Sequence, residues 1–335
     1  MQDTHITLAH GNGGRYMREL IETLFARYLD NPDLDIHADA ASLLWHSDNL
    51  VMTTDGFIVK PLEFPGGNIG SLAIHGTLND LVVAGAIPHY LSLNAFIEEG
   101  LEIAQLERII QSLAHTAQMA QVKVVTGDTK VVQRGEGGGL YLATTGVGQR
   151  DPRANLALSN IQSGDKILVS GEVGNHGIAV MLAREEFGLR GNLHSDSAYV
   201  FPLTQALLDF NGLRFMRDPT RGGLATVMHE IAHETGFNIR LTQDNIPIAD
   251  AVQTVCDMLG YDPLYLACEG RVVAIIAKEQ AEAALQKWQT LTLGRQAHII
   301  GEVEAITEAQ VILQTTLGGE RFLEELEDDP LPRIC

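Results

Sequence analysis

The chain has 335 residues, 23 basic against 43 acidic side chains and a formal charge of −20, which allows two cores but offers no basic surface for nucleic acid. No apolar run approaches the ~18 residues of a membrane span, and Met1-Gln2-Asp3-Thr4-His5 has neither the basic nor the apolar stretch of a signal peptide. Three cysteines (Cys256, Cys268 and Cys335) form no CxxC pair, which argues against a disulfide framework or a structural zinc site and for the reducing cytoplasm.

In chain order, Met17, Leu20, Ile21, Leu24, Phe25 and Tyr28 recur at helical spacing, predicting a helix over 14–29. Further helices are predicted over 68–84 and 103–120, the latter with Leu106, Ile109, Ile110, Leu113 and Ala117 on one face. Strands are expected at 50–54, 90–96, 122–126 and 140–147, with Gly135–Gly139 as a mobile loop between the last two. Gln149-Arg150-Asp151-Pro152 reads as a boundary. Beyond it, strands are expected at 166–170, 271–277 and 298–303, and helices at 178–187, 200–210, 223–234 and 249–259. The pattern gives an N-terminal domain over 1–150, a second α+β domain over 151–323 and a tail over 324–335.

Several short motifs sit where chemistry is done. His10-Gly11-Asn12-Gly13-Gly14 precedes a helix, where backbone N–H groups and the helix dipole favour an anion. Acids stand at element ends: Asp55 in Thr53-Thr54-Asp55-Gly56, Asp80 among apolar helix residues, and Asp128 in Thr126-Gly127-Asp128-Thr129-Lys130. Each acid alone reads as a turn or cap; three with an adjacent lysine read as a magnesium–phosphate site, since magnesium takes carboxylate and phosphate oxygens. Phe64-Pro65-Gly66-Gly67-Asn68-Ile69-Gly70 leads into the second helix, with Asn68 as its cap. Arg221, in Arg217-Asp218-Pro219-Thr220-Arg221-Gly222-Gly223, has the fork that grips phosphate oxygens. Glu269, in Cys268-Glu269-Gly270, is either a solvated turn acid or a general base. His176, in the turn 171–177, is as readily structural as ligating.

The tail ends in Leu331-Pro332-Arg333-Ile334-Cys335 after an acidic run. Charge and proline keep it out of helix and core. The twelve residues after Leu323 reach about 40 Å when extended and carry a thiol at the tip.

Taken together, HGNGG, TTDG, FPGGNIG, GTLNDL, TGDTKVV, RDPTRGG, CEGR and the terminal PRIC resemble the HypE family of hydrogenase maturation proteins, from His10 to Cys335. The wider superfamily includes aminoimidazole ribonucleotide synthetase, selenophosphate synthetase and thiamine-phosphate kinase. The chain lacks the N-terminal cysteine or selenocysteine motif of selenophosphate synthetases, and Asn12 stands where the family often has a smaller residue.

The resemblance implies a two-lobed α+β fold whose N-terminal lobes pair as a dimeric β-barrel. It implies an ATP-dependent carbamoyl dehydratase that turns an S-carboxamide on Cys335 into a thiocyanate, the cyanide source for the iron of [NiFe] hydrogenases. In that reading Asp55, Asp80 and Asp128 hold Mg2+, and Lys130 neutralises the transferring phosphoryl group. His10, Gly11, Gly13, Gly14 and Arg221 contact ATP, and Glu269 is the base. The implied partners are a second copy of the chain, a HypF-type carbamoyltransferase and the HypC–HypD iron scaffold, with no nucleic acid and no membrane. The rival readings are a small-molecule ATP-dependent kinase or synthetase, and a non-catalytic thiol carrier.

Overall fold

The computed structural model describes residues 3–11, 15–36, 41, 43, 45, 49–184, 191–305 and 308–326. Gly13, Gly14 and Cys335 lie outside them. The chain divides into two compact units, one of residues up to Leu81 with Ala86–Arg150, the other of Val82–Gly85 with the chain from Asp151.

The first unit begins with α1 (Arg15–Leu20), which widens into a π-helical turn, Ile21–Ala26, and closes as α2 (Arg27–Leu29). The single helix expected over 14–29 is therefore interrupted by wider turns. β1 (Leu50–Phe57) is followed by a small hairpin, β2 (Glu63–Phe64) and β3 (Gly67–Asn68), then α3 (Ile69–Val83), β4 (Ala86–Glu98), α4 (Ile103–Met119), β5 (Lys123–Val132) and β6 (Leu140–Arg150). The four long strands form one open sheet in the order β1-β6-β4-β5. Only β4 and β5 run parallel, with α4 as their crossover. No closed barrel forms among the described residues, so β1 and β5 are both edges.

Helix α3 is buried almost all round, with Leu72, Ala73, Ile74, Leu78 and Leu81 at 0% exposure. Asn68 caps it as expected: its Oδ1 accepts from Gly70 N at 2.9 Å and Ser71 N at 3.1 Å. The other glycines of FPGGNIG serve packing. Gly66 takes a φ of 97° in the hairpin. A Cβ on Gly70 would lie 2.4 Å from the Ile109 carbonyl oxygen, so only glycine lets α3 approach α4 this closely. The β5–β6 loop, expected to be mobile, is tied down by Glu98, whose carboxylate accepts from Gly135 N at 2.5 Å and Gly139 N at 2.6 Å. Those two N–H groups, Gly135 first, hold the carboxyl below the usual carboxylate range.

The second unit contains β7 (Lys166–Val169), α5 (Asn175–Ala183), α6 (Phe201–Leu207), β8 (Leu213–Arg217), α7 (Gly223–Thr235), β9 (Asn238–Thr242), α8 (Asp250–Leu259), β10 (Val273–Ile276), α9 (Lys278–Gln289), β11 (His298–Glu304), β12 (Val311–Gln314) and β13 (Glu320–Phe322). They build a seven-stranded sheet in the order β13-β12-β9-β11-β7-β10-β8. One face packs on α7 through Val169, Ile239, Val273, Leu224 and Met228. The other packs on α6 and α9 through Leu168, Ala274, Leu203, Leu207 and Trp288. Strands β8, β9, β12 and β13 and helix α9 had no counterpart in the sequence reading.

Candidate functional site

In the first unit, β1 alternates in burial, and Thr53, Asp55 and Phe57 turn toward the face covered by α3. Helix α3 comes down on that face at Gly76, where a Cβ would lie 2.7 Å from the Phe57 ring and 3.9 Å from Asp55 Oδ2. One turn on, Asp80 Oδ2 accepts from Thr53 Oγ1 at 2.9 Å. Next to them, Thr77 and Thr144 share a short hydroxyl–hydroxyl hydrogen bond. Asp55 and Asp80 therefore border one β1–α3 junction, both half-buried.

Asp128 stands elsewhere. It pairs across β4 with Asn94, which pairs with Ala143, which pairs with Gly56. Register thus puts Asp128 on the open face, opposite to Asp55, and on the far edge of the sheet. Three strand spacings separate the two edges, about 14 Å. Consistent with this, no three ligand atoms of Asp55, Asp80 and Asp128 fall within 4.8 Å of one another. One chain does not gather the three acids around one ion.

Lys130 lies two residues along the same face of β5, with Nζ 3.1 Å from Asp128 Oδ2. Both side chains are exposed, so the pair is weakly held and can be exchanged for a ligand. Asp128 Oδ1 also accepts from Thr129 N at 2.8 Å. The His10–Gly11 turn packs against the same strand: a Cβ on Gly11 would sit 2.7 Å from Val131 Cβ. His10 is fully buried, and its Nδ1 accepts from Thr7 N at 3.1 Å. That leaves the proton on Nε2, which lies 3.5 Å from Asp3 Oδ2 without a hydrogen bond.

In the second unit, the Arg217–Gly223 loop and the Cys268–Gly270 loop meet: Cys268 N donates to Pro219 O at 3.0 Å. Gly223, at a φ of 61°, lies so close to the 264–266 backbone that a Cβ would stand 2.5 Å from Leu266 O. This places exposed Arg221 at the mouth of the loop and α7 behind it. Glu269 is not a solvated turn acid; it is 7% exposed. Its backbone is held by Asp196, whose carboxylate accepts from Glu269 N at 3.4 Å and Gly270 N at 3.3 Å. Asp196 also faces Arg271 Nε at 3.7 Å, and Arg271 Nε donates to Glu172 O at 2.8 Å. His176 is fully buried beside this node, 2.8 Å from Ser195 Oγ, and burial pushes its pKa down to about 4. Burial therefore favours its neutral form. Burial drives the Cys268 thiol far up, so it is no nucleophile.

Sequence reasoning missed Asp196, which sits in no recognisable motif. It also missed the root of the tail. Leu323 is buried in the core. Tyr265 OH donates to Glu324 O at 2.6 Å, and His233 Nε2 lies 3.1 Å from Glu325 Oε2. A Cβ on Gly222 would lie 3.2 Å from Leu326 Cδ1. The tail expected from residue 324 is thus held through Leu326, which ends beside the Arg221 loop. From there nine residues, about 30 Å of extended chain, lead to Cys335.

Comparison with known proteins agrees with this layout. Residues 37–149 match the AIR synthase related protein N-terminal domain and residues 162–314 its C-terminal domain. The chain is 43% identical to the carbamoyl dehydratase HypE of Azotobacter vinelandii, over 100% of this chain and 98% of that protein. The crystal structure of hydrogenase maturation protein HypE in complex with ATP superposes with a TM-score of 0.92 at 41% identity, covering 98% of this chain and 99% of that one. A HypE–HypF complex structure matches with a TM-score of 0.80 at 40% identity, over 92% and 99% of the two chains. End-to-end identity at this level, with both domains matched, makes this chain a member of the carbamoyl dehydratase HypE family.

Proposed function

We propose that the chain dehydrates a carboxamide carried on the sulfur of Cys335 to a thiocyanate, at the expense of ATP, and so supplies cyanide for the iron of [NiFe] hydrogenases. The observation that supports this reading is the tail root: Leu323 is buried and Leu326 lies beside the Arg221 loop, which meets the loop of buried Glu269. An amide oxygen is a poor leaving group, and the γ-phosphate makes it a good one. The carboxamide oxygen attacks the γ-phosphorus, ADP leaves, and one N–H proton passes to a base, giving an O-phosphoryl imidate. Loss of the second N–H proton expels phosphate and leaves the C≡N group on sulfur. Glu269 is the base in this reading, held in place through its backbone by Asp196. Lys130 spreads the charge of the phosphoryl group, and Arg221, His10 and the glycine turn (Gly11, Gly13, Gly14) contact the nucleotide.

Asp55, Asp80 and Asp128 offer only hard carboxylate oxygens, a donor set that fits Mg2+. When bound, the ion would supply charge neutralisation along the phosphates. Because Asp55 and Asp128 stand on opposite edges of an open sheet, the reading includes a homodimer. Two sheets closing edge to edge, β1 of one against β5 of the other, form a barrel in which the strands that carry Asp55 of one copy and Asp128 of the second become neighbours. Leu50, Met52 and Phe96, all exposed and all on the open face, supply an apolar surface for such closure. The partners in this reading are a HypF-type carbamoyltransferase, which loads the thiol, and a HypC–HypD scaffold, which accepts the cyanide.

Mass spectrometry of the carbamoylated chain tests the reading. ATP-dependent loss of one water from the C-terminal peptide is expected, and Cys335→Ala abolishes it while ATP affinity stays unchanged. Turnover of a small molecule by a chain lacking Ile334-Cys335 would replace the reading with a kinase or synthetase. A carboxamide that persists with ATP present would reduce the chain to a thiol carrier.

A further inference from the structure

Helix α7 carries His229-Glu230-Ile231-Ala232-His233, two imidazoles four residues apart and so on one face of the helix. The tail root returns to that face. Leu323 O accepts from His229 Nε2 at 2.9 Å, and Glu325 Oε2 lies 3.1 Å from His233 Nε2. One ligand atom from each of His229, His233 and Glu325 lies within 4.8 Å of the other two, and no other such group of His, Cys, Asp or Glu occurs among the described residues. His229 is buried, while the His233 and Glu325 side chains are 55% and 60% exposed, which leaves an entry path from solvent.

Two imidazole nitrogens and one carboxylate oxygen suit a borderline divalent ion, zinc above all, whereas magnesium prefers oxygen alone. We propose that His229, His233 and Glu325 form a transition-metal site of the zinc class that clips the root of the tail to α7. The HExxH spacing is that of hydrolytic zinc helices, in which the glutamate is the base. Here Glu230 is instead paired with Arg217 at 3.2 Å, and the third ligand lies 92 residues downstream. The arrangement is a clip, not a hydrolase. Ligation through His229 Nε2 would move the imidazole proton to Nδ1, with no net proton released, and exchange the contact with Leu323 O for the ion. The strongly negative chain favours capture of a cation. The proposal does not depend on what Cys335 carries.

Calorimetric titration of the full-length, untagged chain with Zn2+ tests it, in a Cys335→Ser background so that the terminal thiol contributes nothing. One Zn2+ per chain is expected, undisturbed by millimolar Mg2+. His233→Ala and Glu325→Gln, both at exposed positions that keep the fold, should each weaken binding by about a hundredfold. Hydrogen exchange at Leu323–Leu326 should slow on adding Zn2+, and should not respond in His233→Ala. Absence of zinc uptake, unchanged affinity in both variants, or zinc binding that leaves exchange at Leu323–Leu326 unmoved would overturn the proposal.

Discussion

Replacing Gly270 with alanine would put a Cβ 1.9 Å from Asp196 O and 2.9 Å from Ala198 N. Both neighbours are backbone, so no side chain can swing aside. Relief needs a shift of about 1 Å in the Glu269–Gly270 loop or in the 196–198 segment. Either movement stretches Glu269 N and Gly270 N away from the Asp196 carboxylate, bonds already 3.4 and 3.3 Å long, and Ala198 N away from Glu269 O at 3.4 Å. Overpacking of this kind costs about 1–3 kcal/mol, which lowers Tm by about 2–4 °C per kcal/mol for a domain of this size. A base displaced by about 1 Å loses on the order of a hundredfold in rate. The expected result is a kcat for ATP-dependent water loss down about a hundredfold, with ATP affinity nearly unchanged. Gly319→Ala, whose Cβ would meet nothing nearer than 3.4 Å, is the matched control and should keep full activity. Turnover within about threefold of the unsubstituted chain, with Glu269→Gln equally active, would refute the placement of Glu269 at the reacting nitrogen.

Mixing two inactive chains tests the shared site: with Asp55→Asn and Asp128→Asn combined in equal amounts, half the dimers are mixed and each holds one intact site, so about a quarter of the activity should return. No recovery after verified subunit exchange would place both acids in the same chain's site. His176 predicts a pH effect. Burial lowers its pKa to about 4 against about 6.5 unfolded, so the unfolded chain binds more protons in that window and stability rises with pH across it. Stability should fall as pH drops from about 6.5 toward about 4, by up to about 3 kcal/mol from this group. His75, likewise pushed to about 4 by burial, adds to the same loss. Urea unfolding at pH 5 and pH 7.5 measures it; His176→Gln should shrink the difference by its own share and leave that of His75, and an unchanged difference would remove His176 as a source.

Much of the first unit was legible because its signals are local. The apolar spacing of α4, the cap at Asn68 and the glycines before helices are properties of a few consecutive residues. The short strands of the second unit were harder. β8, β12 and β13 run for only three to five residues, too few for alternation to stand out from a loop. Asp196 was invisible for a related reason: it acts through backbone N–H groups more than 70 residues away, and no spacing rule connects them.

The sequence by itself determined the chemistry available to this protein: which carboxylates, which lysine and arginine, which glycine turns and which terminal thiol, in an order that identifies the family. Only the tertiary structure decided how those groups are distributed. Sheet order set Asp55 and Asp128 on opposite edges, because hydrogen-bond pairing between distant strands fixes which edges stay open. Packing buried Glu269, and the return of the chain along α7 brought Glu325 to His233. Motif spacing names ligands and bases, but long-range register and burial determine which of them meet.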